Sequence, residues 1–173
     1  ITPHTDGTYS HDAPGLLGLH CHVYDATGGE NVFVDGHTLM GRLSDDARAT
    51  LCTTEIPGQY IGDGAHLMAR RPVLRAERGH LVQVSYNHHD RAPFILAEPQ
   101  MTEVFAALHE FDALANEPAL QFELALRPGD MVIFDNWRVL HGRRAFSGER
   151  RIAGGYVNHE DFESTTRRLA TNR

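Results

Sequence analysis

The 173-residue chain is predicted to fold as a mainly β domain with a few helices, a sandwich or barrel, and three features predict it. Short stretches in which apolar and polar residues alternate recur along the chain, bounded by Gly, Pro and Asn. Only residues 101–116 hold a helical period for long, with Met101, Val104, Phe105, Leu108 and Phe111 on one face. Strands follow one another without a helix between each pair, which argues against an alternating α/β sheet.

Taken in order, "GLLGLHCHVY" (15–24) reads as a strand, "ATGGEN" as a turn and "NVFVDG" as a second strand, together a hairpin. "HTLMGRLSDDARATLCT" breaks into short helical pieces. Ser44 is placed as N-cap of "DDARATL", because its hydroxyl can accept from a free N–H at the helix start. A loop-rich middle follows, then the alternating strand "GHLVQVSYN" and the 101–116 helix. "LQFELALRPGDMVIFDN" supplies two strands around a Pro-Gly turn, and "RRIAGGYV" the last strand. No internal repeat or low-complexity tract interrupts this pattern.

Composition narrows the function classes. With 41% hydrophobic and 23% charged residues, the chain suits one globular domain with a real core. Sixteen basic residues against 23 acidic argue against a nucleic-acid or anionic-membrane binder and favour a small-molecule substrate. Cys21 and Cys52 lack C-x-x-C spacing and are too few for a disulfide framework, although one bridge stays open. No stretch reaches the roughly 18 apolar residues that span a bilayer, and no signal segment is present, so a soluble, cytoplasmic chain is expected. A start at Ile1, three residues before a candidate ligand, is expected to be a fragment lacking upstream sequence.

The chemistry centres on "HTD". In extended backbone residues i and i+2 share a face, so His4 and Asp6 would project together as a two-ligand claw. His141, after the apolar strand "MVIF" and the turn "DNW", is a third donor on rigid scaffold. Two histidines and one carboxylate form the facial triad of non-heme Fe(II) oxygenases, which leaves open coordination positions. The other histidine clusters carry less: His20 and His22 share a strand face as structural residues, and His88, His89 and Asp90 suit a loop or pocket rim.

"PHTDGTYSHDAPGLLGLHCH", "GGENVFVDG" and "RPGDMVIFDNWRVLHGRRAFSGERRIAGGYVNHEDFES" resemble, in order and over essentially the whole chain, the Fe(II)- and 2-oxoglutarate-dependent dioxygenases of the taurine dioxygenase superfamily. The gamma-butyrobetaine and trimethyllysine hydroxylase branch is the most similar. The resemblance implies a double-stranded β-helix (jelly roll), incomplete at its N-terminus, with residues 1–173 a single catalytic oxygenase domain, and homodimers as in many members. It implies Fe(II), 2-oxoglutarate and O2 as metal and cosubstrates, and a small quaternary-amine carboxylate, or another amino acid, sulfonate or phosphonate, as substrate. His4, Asp6 and His141 match the metal ligands. Arg150, Ile152, Gly154 and Tyr156 match the family's arginine, aliphatic, glycine and tyrosine, which alternation puts on one face. Arg150 is then the 2-oxoglutarate anchor and Arg151 an outward ion-pair partner; a one-residue slip would exchange them.

Asn31 stands where relatives carry a threonine that touches 2-oxoglutarate, or is a turn residue opening a strand. Tyr156 matches an aromatic-cage member for a trimethylammonium group. Asn87 matches a strand-end asparagine that holds the substrate's polar end, or caps a turn. Arg143 is expected to fix the loop by pairing with Asp135 or another carboxylate. Tyr9 and Trp137 line the cavity or pack. Gly7, directly after the triad aspartate, departs from the bulkier residue common in the branch and points to a different or larger substrate. Two other readings stay open, a zinc hydrolase on the same three ligands and a non-catalytic β-sandwich module.

Overall fold

The computed structural model describes residues 1–171. Two three-stranded antiparallel sheets face each other. The longer holds β1 (Pro14–Gly28) between β10 (Phe146–Asn158) and β8 (Met131–Asp135). The shorter holds β2 (Asn31–Asp35) between β7 (Gln121–Leu124) and β9 (Val139–Arg143). This is the jelly-roll arrangement, in which alternate residues of each sheet meet between the layers.

The predicted hairpin of the first two strands is not formed. Gly28 and Gly29, at φ +77° and +84°, turn the chain out of one sheet and into the other, so β1 and β2 never pair. The strands on either side of the Pro-Gly turn likewise divide, β7 to the short sheet and β8 to the long one. The middle of the chain is more ordered than predicted. β3 (Glu55–Gly62) and β4 (Ala65–Pro72) form a continuous hairpin, and β5 (Leu74–Glu77) pairs with β6 (His80–Val84). Pro57, Gly58 and Gly62 disguise β3 as a loop in the sequence, yet all eight of its residues pair across to β4.

The first three helices form a layer beside the short sheet. α1 (Gly36–Arg42) is capped by Asp35, whose carboxylate accepts from the Thr38 N–H. α2 (Asp45–Thr53) is capped by Ser44, which accepts from the Ala47 N–H as predicted. The one long helix, α3 (Gln100–Ala115), buries Val104, Ala107, Leu108, Phe111 and Ala115 in a core with Leu39, Leu51, Leu74, Val84 and Leu140. Phe105, placed on that face by its spacing, lies at its edge, half exposed and stacked on Phe94. A last helix, α4 (His159–Thr171), unforeseen in the sequence, buries none of its side chains, though His159 stacks on Trp137 at 3.8 Å. Both cysteines are free thiols.

A polar network fastens α3 to the strand that leads to the site. The Tyr86 hydroxyl donates to Asp112 at 2.9 Å, and His88 Nε2 lies 2.9 Å from the same oxygen. Tyr86 is itself buried against Phe111, with ring centroids 4.6 Å apart. Phe111→Ala is expected to destabilise the fold by about 3–5 kcal/mol, since it empties a fully buried aromatic site at the centre of this layer. Urea unfolding followed by far-UV circular dichroism measures it, and a loss below about 1 kcal/mol would contradict this account of the core.

Candidate metal centre and cosubstrate cavity

The first six residues lie as an extra edge beside β9. His4 and His141 exchange backbone hydrogen bonds of 2.9 and 2.8 Å, and the Arg143 N–H donates to the Ile1 carbonyl at 2.9 Å. Thr5 faces the opposite way from its neighbours. Buried, it donates from its N–H to the Tyr86 carbonyl at 2.8 Å, and its hydroxyl oxygen accepts from the Tyr86 N–H at 3.0 Å. Alternation then turns His4 and Asp6 together toward the interior of the jelly roll.

There they meet His141. His4 Nε2 lies 3.3 Å from Asp6 Oδ1, and His141 Nε2 lies 3.5 Å from Asp6 Oδ2. One donor atom from each residue lies within 4.8 Å of the others. A first-row metal takes imidazole nitrogen and carboxylate oxygen at about 2.0–2.2 Å, so neighbouring donors at right angles stand about 3 Å apart. The observed spacings fit such an ion with little adjustment. His4 Nδ1 donates to the Thr2 carbonyl at 2.9 Å, which leaves Nε2 as the free donor atom. The chemistry of the donor set therefore fits Fe(II), with a second carbonyl-held shell behind His4.

Electrostatics follow from this packing. Burial pushes the Asp6 carboxyl upward, but hydrogen bonds from His141, His4 and Tyr156 outweigh it and hold the group far below the usual carboxylate range. Burial works against a charged His4, yet the hydrogen bond to Asp6 brings the net shift upward. Tyr156 donates its hydroxyl to Asp6 Oδ2 at 2.8 Å, and burial together with the Asp6 charge raises its phenol above the ordinary value. Asp90 stands nearby. Its carboxylate accepts from Thr8 Oγ1 at 3.2 Å and Asn87 Nδ2 at 2.9 Å, and burial, with the Asp6 charge also acting, raises its pKa.

A cavity of about 390 Å³ opens from the triad. Its wall includes Leu17, Leu19, Asn31, Arg143, Arg150, Ile152, Gly154 and Tyr156. The predicted register of β10 therefore holds, with Arg150, Ile152, Gly154 and Tyr156 all facing inward. Arg151 points out and pairs with Glu149 at 3.1 Å, as expected for the other arginine. Asn31 lines the cavity too, but its amide is engaged: Oδ1 accepts from Arg150 at 2.9 Å and Nδ2 donates to the Leu124 carbonyl at 3.2 Å.

Other expectations fare differently. Arg143 does not pair with Asp135, whose Oδ1 accepts instead from the Trp137 N–H at 2.8 Å. Asn87 does not line this cavity; it donates to Asp90 and accepts from the His89 N–H at 2.9 Å, the arrangement of a turn cap. Tyr9 stacks on Tyr60, and Trp137 packs against His159 while its indole N–H donates to the Ala13 carbonyl. His20 and His22 face each other with centroids 4.6 Å apart on β1, away from the triad cavity.

Asn136 is the residue that sequence reasoning passed over. It is buried in the "DNW" turn, accepts from the Asp6 N–H at 2.9 Å and donates to the carbonyls of Asp6 at 3.1 Å and Pro14 at 2.9 Å. It therefore clamps the backbone of a candidate metal ligand from both sides. The signal was present in "FDNWRVLHGR", but nothing local says that its partners lie near the other end of the chain. Asn136→Ala is expected to weaken metal affinity about 10–100-fold while the far-UV spectrum is retained. Titration with Mn(II) followed by electron paramagnetic resonance reads this, and unchanged affinity would remove the clamp.

Comparison with known proteins agrees with this geometry. Residues 1–156 match the family described as taurine catabolism dioxygenase TauD, TfdA family. The chain is 31% identical to a trimethyllysine dioxygenase of Meyerozyma guilliermondii, with all of this chain and 46% of that protein aligned. It is 34% identical to a gamma-butyrobetaine dioxygenase of a Pseudomonas species, over 93% of this chain and 44% of that one. Its fold is that of an asparagine oxygenase solved in complex with Fe(II), 2S,3S-3-hydroxyasparagine and succinate: TM-score 0.75 at 21% identity, over 91% of this chain and 50% of that one. The chain spans about half the length of the curated relatives it matches. With its triad, its jelly roll and these matches in agreement, the chain belongs to the TauD/TfdA dioxygenase family.

Proposed function

We propose that this chain forms the catalytic unit of an Fe(II)- and 2-oxoglutarate-dependent dioxygenase that hydroxylates a small quaternary-amine carboxylate of the gamma-butyrobetaine or trimethyllysine kind. The observation that carries the reading is one cavity holding both the His4, Asp6 and His141 donors and the guanidinium of Arg150. The names of the relatives, trimethyllysine dioxygenase and gamma-butyrobetaine dioxygenase, support the substrate class.

Each group has a defined task. His4, Asp6 and His141 would hold Fe(II), which when bound supplies the redox chemistry that couples 2-oxoglutarate decarboxylation by dioxygen to hydroxylation of a substrate C–H bond. Arg150 binds the far carboxylate of 2-oxoglutarate with its planar fork, and Asn31, accepting from one of its nitrogens, fixes the direction of that fork. Leu17, Leu19 and Ile152 give the cosubstrate an apolar wall that excludes water.

The substrate end is set by Tyr156. More than half exposed, its ring faces the space beside Asp6, and its hydroxyl is held by the Asp6 carboxylate. A ring so fixed presents its face to a cation that has no N–H to donate. Asp90 adds negative potential on the same side, and Asn87 bears on the substrate through Asp90, whose carboxylate it holds.

Anaerobic addition of Fe(II) and 2-oxoglutarate is expected to produce a weak visible charge-transfer band that Asp6→Ala abolishes. In air, the same protein should form succinate only when both iron and a quaternary-amine acid are present. A folded parent without the band, or turnover supported by zinc without 2-oxoglutarate, would overturn the reading.

A further inference from the structure

The cavity contains a second guanidinium for which neither the triad nor the Arg150 anchor accounts. Arg143 ends β9 two residues after His141, so strand alternation sends both side chains to the same face, and both line the cavity. Its Nε is buried without a hydrogen-bond partner, and among the described residues it forms no ion pair within 4.0 Å. The guanidinium lies over the Phe146 ring, 4.5 Å from the centroid, which holds it in place without neutralising it.

Arg143 stands directly across the sheet from Asn31, whose amide oxygen accepts from Arg150. The Nε of Arg150 is likewise buried and unpartnered. Burial lowers the Arg150 pKa, and the charge of Arg143 lowers it further, so the two cations act on each other. Gly29 makes the cluster possible: a Cβ there would come within 3.1 Å of Phe146 Cβ and 3.2 Å of Arg150 Cδ. Two partly buried like charges with no carboxylate between them are unfavourable until an anion enters.

We propose that Arg143 is a second anchor for the far carboxylate of the cosubstrate, so that Arg143 and Arg150 grip it from both sides of Asn31. The inference rests on the 2-oxoglutarate reading above. Its consequence is selectivity: the pair makes the cavity demand a dicarboxylic 2-oxo acid and reject one of equal length that lacks the terminal carboxylate. Asn31 serves as the neutral spacer that keeps the two forks apart.

The test is equilibrium binding to the Mn(II)-loaded protein by calorimetry, with 2-oxoglutarate and its monocarboxylate counterpart 2-oxopentanoate as probes. Arg143→Gln is expected to weaken 2-oxoglutarate binding about 10–100-fold, the range set by loss of a charge-assisted bond, and to leave 2-oxopentanoate unchanged. Arg143→Lys, which keeps the charge and stem, should recover part of the loss and guards against misfolding of the first variant. If Arg150→Gln loses 2-oxoglutarate while both Arg143 variants bind it as the parent does, the second anchor is overturned and the function stands. Equal weakening of both probes by Arg143→Gln would make Arg143 a support of His141 and also overturn it. A parent that binds neither probe would instead refute the dioxygenase reading itself.

Discussion

The reciprocal backbone bridge between His4 and His141 is the constraint on which the site depends. β9 is held on its other edge by β2, with His141 opposite Phe33, so its position is fixed by the short sheet. The N-terminal segment then adds to the free edge of β9 much as another strand would, and Thr5 locks it from the far side onto Tyr86. Backbone hydrogen bonds place the two imidazoles with ring centroids 4.4 Å apart before any metal acts on them. Asn136 extends the same logic to Asp6, since it grips that residue's N–H and carbonyl rather than its carboxylate. The three donors are thus oriented through main chain, which leaves Nε2 of both imidazoles facing the Asp6 carboxylate, while Asp6 Oδ2 also accepts from Tyr156.

The cavity is polarised along its length. Asp6 carries a carboxylate at one end, with Asp90 near it though not in the cavity wall, while Arg143 and Arg150 make the other end positive, with Leu17, Leu19 and Ile152 in the wall. On the proposed reading, the two arginines draw a carboxylate to their end of the cavity. A dicarboxylate that reached the arginines first would have its other end delivered toward the metal donors. On that reading, charge placement selects ligand direction as well as ligand class.

What the sequence revealed follows the range of the interactions concerned. The H-x-D claw, the inward face of Arg150 to Tyr156, the Ser44 cap and the long helix all rest on periods of two to four residues, which a chain displays openly. Strand partnership is different, because it is chosen across the whole chain. "ATGGEN" looks like a hairpin turn, and only the presence of β8 and β10 beside β1 shows that its glycines instead transfer the chain between sheets. β3 was hidden by Pro57 and its glycines, and α4 by a face with nothing buried beneath it. Asn136 escaped for the same reason in another form, since its partners Asp6 and Pro14 lie near the opposite end of the chain, while Asp135 looked in the sequence like a mate for Arg143, which instead lies over Phe146.

Gly7 shows how local geometry can imitate a functional signal. A glycine directly after the candidate metal-binding aspartate suggests, in the sequence alone, space for a larger substrate. The backbone there takes φ +78°, a conformation that favours glycine, and a Cβ would lie 2.7 Å from Pro14 Cδ. The Gly7 carbonyl accepts from the Ser10 N–H at 3.0 Å, closing the turn that leads the chain away from the triad and past Tyr9. The glycine is therefore accounted for by the turn, with no substrate invoked. On the proposed reading, discrimination among substrates falls instead to groups near Asp6: the ring of Tyr156, held through its hydroxyl, and the carboxylate of Asp90, held through Thr8 and Asn87. On that reading, one aromatic face and one carboxylate, both held by hydrogen bonds, would form a receptor for positive charge, the chemistry by which a quaternary amine differs from a neutral or anionic molecule.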